Sequence, residues 1–174
     1  MSVPKGKRKE SRFEAQHHFF RLRDEVTMLI VNDFGFSSEK YLKQIERYKE
    51  THPDGEEAVK RWMKKREAFD RWFIDKEGDV ILEMLRQIET NFTRANSIYP
   101  SETPAKEAEY IERRILMDAA ISYCFALKQE IQYIIRTLPV DLNKYKRFAE
   151  MIDRQIALYK GVRQKDNRFI KGSL

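Results

Sequence analysis

Residues 103–138, TPAKEAEYIERRILMDAAISYCFALKQEIQYIIRTL, decide the fold. Leu116, Ala120, Tyr123, Leu127, Ile134 and Leu138 recur at spacings of three, four and seven, which lines them along one stripe of an α-helix. Ile111, Ile115, Ala119 and Ala126 stand beside that stripe. A core-facing helix needs an apolar arc of about 100°. The broader face here predicts a helix in the middle of a bundle, with the excess buried against an inserted element or another subunit. Thr103 is expected to cap this helix, with Pro104 at its first position, where a missing N–H costs nothing. Leu138-Pro139 stops it.

The same periodicity continues on both sides. Phe13, Phe19/Phe20, Leu22/Val26 and Leu29/Ile30 predict a helix from Ser11 to Phe34-Gly35. Ser37 or Ser38 is expected to cap a shorter helix with Tyr41, Leu42, Ile45 and Tyr48, closed by the turn Pro53-Asp54-Gly55. A long stretch from Glu56 to about Ser97 carries Val59, Trp62/Met63, Phe69, Trp72/Phe73, Val80, Ile81/Met84/Leu85, Ile88 and Phe92. Gly78 lies inside it and costs about 1 kcal/mol relative to Ala, so a kink or break is expected between Asp75 and Asp79. Asp141 caps a last helix of Tyr145, Phe148/Ala149, Ile152, Ile156 and Tyr159, expected to fray near Gly161. The fold class read from this pattern is all-α: an antiparallel four-helix bundle with an inserted helical element at about 36–75. The domain spans 11–163, between a basic N-terminal tail (1–10) and a basic C-terminal tail (164–174).

The chain's 174 residues suit one domain that needs no disulfide, and its single cysteine can form none internally. Its 6 Gly and 5 Pro argue against the many turns of an all-β fold. The basic start lacks the apolar stretch of a signal peptide, and no apolar run reaches the ~18 residues of a membrane span. A cytoplasmic location with no membrane association is therefore expected, where the sequon Asn91-Phe92-Thr93 carries no glycan.

Charge is segregated. Lys5, Lys7, Arg8, Lys9 and Arg12 face Glu10 alone at one end. Lys144, Lys146, Arg147, Arg154, Lys160, Arg163, Lys165, Arg168 and Lys171 outnumber Glu150, Asp153 and Asp166 at the other. The whole chain is +6, so the middle is net acidic. Basic ends on a helical scaffold point to a polyanion, most simply a phosphate backbone, bound in a salt-dependent way. The expected contacts are Lys5, Lys7, Arg8, Lys9, Arg12, Arg113, Arg114, Lys146, Arg147, Arg154, Lys160, Arg163, Lys165 and Arg168. A solvated charged helix face is the plainer alternative.

Catalytic constellations are absent from the sequence. His17 and His18 are adjacent, about 100° apart on a helix. His52 sits in a turn, and no Cys or His lies at ligand spacing. Glu14 and His17 have the spacing of one half of a di-iron site, but the second Glu-x-x-His is missing. Cys124 in its apolar run reads as a buried, inert thiol. No metal or other cofactor is expected, and no enzyme activity. The aromatic group Trp62, Phe69, Trp72 and Phe73 suits core or a protein-facing patch. This supports a competing expectation, a protein-interaction module of a phage or mobile element without direct nucleic-acid binding.

Several stretches also share an order and spacing with a known family. They are Met1-Ser2-Val3-Pro4-Lys5-Gly6-Lys7-Arg8, Arg94-Ala95-Asn96-Ser97-Ile98-Tyr99-Pro100 and Glu112-Arg113-Arg114. With them stand Leu138-Pro139-Val140-Asp141-Leu142-Asn143-Lys144-Tyr145, Glu150-Met151-Ile152-Asp153 and Ala157-Leu158-Tyr159-Lys160-Gly161. Over about 1–34 and 80–170 the chain resembles the accessory variability determinant proteins. These four-helix bundles are encoded beside reverse transcriptases in diversity-generating retroelements and are related in fold to ribosomal-RNA intervening-sequence proteins. The resemblance implies a homopentameric, funnel-like assembly with a basic surface. It also implies partnership with a reverse transcriptase and with RNA or DNA during mutagenic copying, and no catalysis of the protein's own. The element at 36–75 departs from that compact pattern.

Overall fold

A computed structural model describes residues 12–52, 55–99 and 106–171, with side chains between residues 14 and 166 of those spans. Its elements are α1 (Arg12–Val31), one 3-10 turn (Asp33–Gly35), α2 (Ser38–Thr51), α3 (Glu56–Ser97), α4 (Lys106–Thr137) and α5 (Leu142–Lys171). The chain is all-helical. Among the described residues the sole β-type pairing is an isolated antiparallel bridge between Phe36 and Val140. No described helix is long and apolar enough to cross a membrane. The helix predicted over residues 103–137 is present as α4 from Lys106, and its expected cap, Thr103-Pro104, lies outside the described residues, as do Pro53 and Asp54.

α3 packs along α4, α4 along α5, and α1 against α5 and α3; α2 touches α3. One core joins Phe19, Leu22 and Val26 of α1 to Ile81, Leu85, Ile88 and Phe92 of α3. Met117, Leu127 and Ile134 of α4 and Ile152, Leu158 and Tyr159 of α5 complete it. Full burial of each large apolar side chain contributes about 1.5–3 kcal/mol, so this cluster dominates the fold. Ile45 of α2 and Val59 of α3 are buried too, but outside that core. Beside them Tyr48 stacks on Trp62 at 4.6 Å. α2 and the first turns of α3 thus form an arm with its own small contact.

Two expectations are corrected. α3 runs unbroken for 42 residues through Gly78, so the second half of the inserted element is an extension of α3. Gly78 is a packing residue: a Cβ there would stand 3.3 Å from Cγ2 of Ile30. The close approach of α1 offsets the helix cost of glycine. α5 likewise continues past Gly161 to Lys171, because Leu158, Tyr159, Val162 and Asp166 on both sides are buried.

The link between α1 and α2 is the strained part. Asp33, Phe34 and Gly35 take φ of 50°, 54° and 68°. A left-handed conformation costs a non-glycine residue about 1–2 kcal/mol. Phe34 offsets this by full burial, and its carbonyl accepts a 2.5 Å hydrogen bond from the Tyr145 hydroxyl. Ser37 caps α2 through Lys40 N–H and donates its own N–H to the Pro139 carbonyl at 2.8 Å. Lys40 Nζ donates to the Val140 carbonyl at 2.7 Å. The start of the arm is therefore stapled to the α4–α5 turn, where Asp141 accepts from Asn143 N–H as the expected cap.

Candidate nucleic-acid interface

The basic residues expected to bind phosphate divide sharply. Lys5, Lys7, Arg8 and Lys9 lie outside the described residues, as do the side chains of Arg12 and Arg168. Of the described cations of α5, Lys146, Arg147, Arg154 and Arg163 have acidic partners, while exposed Lys144 and Lys160 make no ion pair among the described residues. Arg147 pairs with Glu25 of α1, and Arg154 with Glu14 at 2.9 Å. Arg163 Nε stands 2.7 Å from Asp118 of α4, which also lies 4.0 Å from Arg114. Lys146 reaches Glu150 at 3.9 Å. Lys160 sits over the Phe125 ring, 5.3 Å from its centroid, and Lys165 is half-buried. The acids that neutralise α5 come largely from α1 and α4, far away in sequence.

Arg113 is a correction. It is 1% exposed. Its Nε donates to Asp166 at 2.6 Å and its Nη1 to the Ile98 carbonyl at 3.0 Å. It joins the ends of α3 and α5 to α4 and has no face for a phosphate. The neighbouring pair Arg113-Arg114 reads alike in sequence, but adjacent helical residues point about 100° apart, and only Arg114 faces outward.

The aromatic group divides as well. Phe73 is 2% exposed and belongs to the core, and one face of Trp62 is taken by Tyr48, so neither offers a free patch. Phe69 and Trp72 are exposed, at 39% and 56%. Trp72 leans on Phe69 with centroids 5.9 Å apart, and Phe69 stacks on buried Phe73 at 5.6 Å. Phe73 meets Tyr133 edge-on at 5.4 Å. The exposed indole is backed by a chain of rings rooted in the core.

A second basic surface was missed from sequence. Lys60-Arg61-Trp62-Met63-Lys64-Lys65-Arg66 holds five bases and no acid. Its signal was visible, but averaging charge over the net-acidic middle of the chain hid it. Lys60 pairs with Glu56 at 3.1 Å. Arg66 pairs with buried Asp70 at 2.9 Å and donates to the Thr137 carbonyl at 2.6 Å, closing the end of α4. Burial raises the Asp70 carboxyl above its ordinary value, against the smaller opposing pull of Arg66. Arg61, Lys64, Lys65 and Lys76 are exposed and make no ion pair among the described residues. Arg61 spends only its Nε, on the Glu57 carbonyl at 3.4 Å.

His18 Nδ1 lies 2.7 Å from Gln155 Oε1, and Gln155 Nε2 donates to the Ala15 carbonyl at 3.1 Å. The amide oxygen therefore accepts and Nδ1 carries the proton. Burial, ahead of the charges of Arg21 and Arg154, holds the His18 pKa below its ordinary value. Cys124 is buried and its thiol is pushed up to about 12 by desolvation, which keeps it protonated. Burial and the facing carboxyl of Glu130 raise Glu77. Among the described residues no group of three His, Cys, Asp or Glu side chains could hold a metal ion. A shallow groove of about 620 Å³ between α1 and α5 is lined by Met28, Asn32, Asn143, Lys144 and the committed pair Glu25–Arg147.

No protein-family model matches the chain, and neither a curated protein nor a solved structure does.

Proposed function

We propose that this chain is a non-catalytic accessory protein that binds nucleic acid. The observation that carries this reading is the set of exposed, unpaired cations on α3, Arg61, Lys64, Lys65 and Lys76, beside an exposed tryptophan. Unpaired cations can release phosphate counterions at no cost in broken ion pairs. The reverse transcriptase as partner, and a role in mutagenic copying within a diversity-generating retroelement, rest on the resemblance of the stretches at 1–34 and 80–170 alone.

At the finer level of architecture, the proposal takes α1, α3, α4 and α5 as an antiparallel four-helix bundle. In support, Ile30 near the end of α1 meets Gly78, Arg23 about two turns earlier pairs with Glu89, and Asp166 near the end of α5 meets Arg113 near the start of α4. A homo-oligomer is proposed as well, and a ring of five by resemblance. Its support is the outer face of α4, where Ile111, Ile115 and Phe125 are 48%, 63% and 45% exposed, a stripe suited to another subunit. Work beside a reverse transcriptase places the protein in the cytoplasm.

The test is filter binding of the purified full chain to structured RNA, single-stranded DNA and duplex DNA across a salt series. The proposal expects affinity to fall by orders of magnitude between roughly 50 and 200 mM salt if several phosphates are engaged. Absence of salt-sensitive binding at low ionic strength would overturn it. Light scattering after size exclusion decides the assembly: the mass of a single chain at tens of micromolar would refute the ring.

A further inference from the structure

We propose that the outer strip of α3, Arg61, Lys64, Lys65, Trp72 and Lys76, is a docking site for single-stranded nucleic acid, with Trp72 as its base-stacking platform. This rests on the nucleic-acid reading above and specifies its surface and ligand class. Positions 61, 64, 65, 68, 72 and 76 follow one another at helical spacing, which gathers them on one face about 22 Å long. All six are exposed, position 68 is an alanine that leaves the face open, and exposed Asp75 is the one acid within the strip, so its four cations stay in excess. The cations on this strip make no ion pair among the described residues.

Charge complementarity selects a polyanion, and Trp72 selects among polyanions. It is 56% exposed yet braced by Phe69 and, through it, by buried Phe73. A braced ring loses little freedom when a base stacks on it. Such stacking accepts any base and requires one that is not already stacked in a duplex. Duplex DNA could use the cations but not the indole. An anionic membrane surface would need a broad apolar face to insert. The strip instead offers one indole among charges, with Phe69 at its edge. An acidic protein would satisfy the cations but has no general use for a flat exposed ring between them.

The experiment uses the full chain. Trp62→Phe leaves Trp72 as the sole tryptophan, since the chain has 2. Labelled oligothymidine and oligouridine are titrated by anisotropy while indole emission is followed. The expected result is saturable quenching of Trp72 that tracks anisotropy, with the two arms ranking DNA against RNA. Trp72→Ala should weaken single-strand binding at least fivefold and leave duplex binding unchanged. Arg61→Glu/Lys64→Glu/Lys65→Glu should weaken it at least tenfold at low salt. Lys64→Gln/Lys65→Gln, a milder pair without reversed charge, should give a smaller loss in the same direction and serves if the triple variant fails to fold.

Failures separate cleanly. If the unmodified chain binds no nucleic acid, both this site and the proposed function fall. If it binds, but the α3 variants bind equally and Trp72 is not quenched, the site falls and the function stands. Duplex binding as tight as single-strand binding, with Trp72 unquenched, overturns the single-strand assignment. Binding to phosphatidylserine vesicles or to an acidic polypeptide, with no binding to either oligonucleotide, overturns it as well.

Discussion

α5 and α3 both carry basic side chains on exposed flanks, and the two surfaces differ in what those side chains already hold. On α5, Arg147, Arg154 and Arg163 are paired with Glu25, Glu14 and Asp118 across helix interfaces. On α3, Arg61, Lys64, Lys65 and Lys76 have no such partner among the described residues. The lesson concerns charge counted along a chain. A count over residues 144–174 finds an excess of bases because the acids that neutralise them belong to α1 and α4. A count over the middle finds a net-acidic stretch because it also takes in the acids of α1, α2 and α4, among them Glu14, Glu25 and Asp118, which pair elsewhere. Pairing in space, not density in sequence, decides which cations are available to a ligand.

The largest expected effect breaks the comparison at its buried extreme. Arg113 is also a paired cation, but its pair is sealed from water. Arg113→Met leaves Asp166 buried without its partner and should cost about 3–5 kcal/mol, read from urea unfolding. Arg154→Ala, which opens a half-exposed pair, should cost only about 0.2–1 kcal/mol in the same assay. Equal losses would mean that burial does not separate structural from surface pairs in this protein.

A smaller effect sharpens the comparison directly. Glu25→Gln removes the charge with which Arg147 pairs. Affinity for single strands should rise about two-fold, and the slope of log affinity against log salt should steepen by about one. An unchanged slope would show that a strand on this protein never reaches Arg147.

The smallest effect is a pH dependence. His18 is held neutral by burial, so its folded-state pKa lies below the ordinary 6.5. The unfolded chain then binds the proton first as pH falls. Stability is full above 6.5 and declines as pH drops from there through the lowered folded value. His18→Asn, which keeps a donor for Gln155, should remove that decline, a difference on the order of a degree or two in Tm at pH 5. A melting series in which both proteins lose stability in parallel between pH 7 and 5 would assign the decline to other groups.

Much of the fold was legible because periodicity reports burial. Leu116, Ala120, Leu127, Ile134 and Leu138 are buried as their spacing implied, and so are Tyr145, Phe148, Ile152, Ile156 and Tyr159. Tyr123, on the edge of its stripe, is exposed at 36%. Gly78 and Gly161 misled for one reason. Glycine's helix cost is local, whereas the packing that overrides it, Ile30 against Gly78 and the buried neighbours of Gly161, comes from distant segments. The candidate site was less legible for the same reason: Arg113 and Arg114 are indistinguishable until Asp166 and Ile98 are brought beside one of them. The left-handed run at Asp33-Phe34-Gly35 left no signal beyond its glycine, because Tyr145 holds Phe34, and Pro139 the following Ser37, from more than 100 residues away.

The unbroken course of α3 fixes a phase as well as a length. Arg113 holds the Ile98 end of α3 next to the last turns of α5, while the free cations begin at Arg61. From Lys65 to Ile98 is about 50 Å of rigid helix. Each residue added between them would lengthen the span by about 1.5 Å and swing the cationic strip by about 100° around the axis. Distance and bearing therefore cannot drift independently. Only insertions close to whole turns, seven or eleven residues, keep a strand on Trp72 facing the same way relative to the chain's C-terminal turns. A single-residue insertion just before Phe73 would aim Arg61, Lys64 and Lys65 elsewhere while leaving the core of α3 from Phe73 onward in place, at the cost of the Arg66–Thr137 and Tyr48–Trp62 contacts.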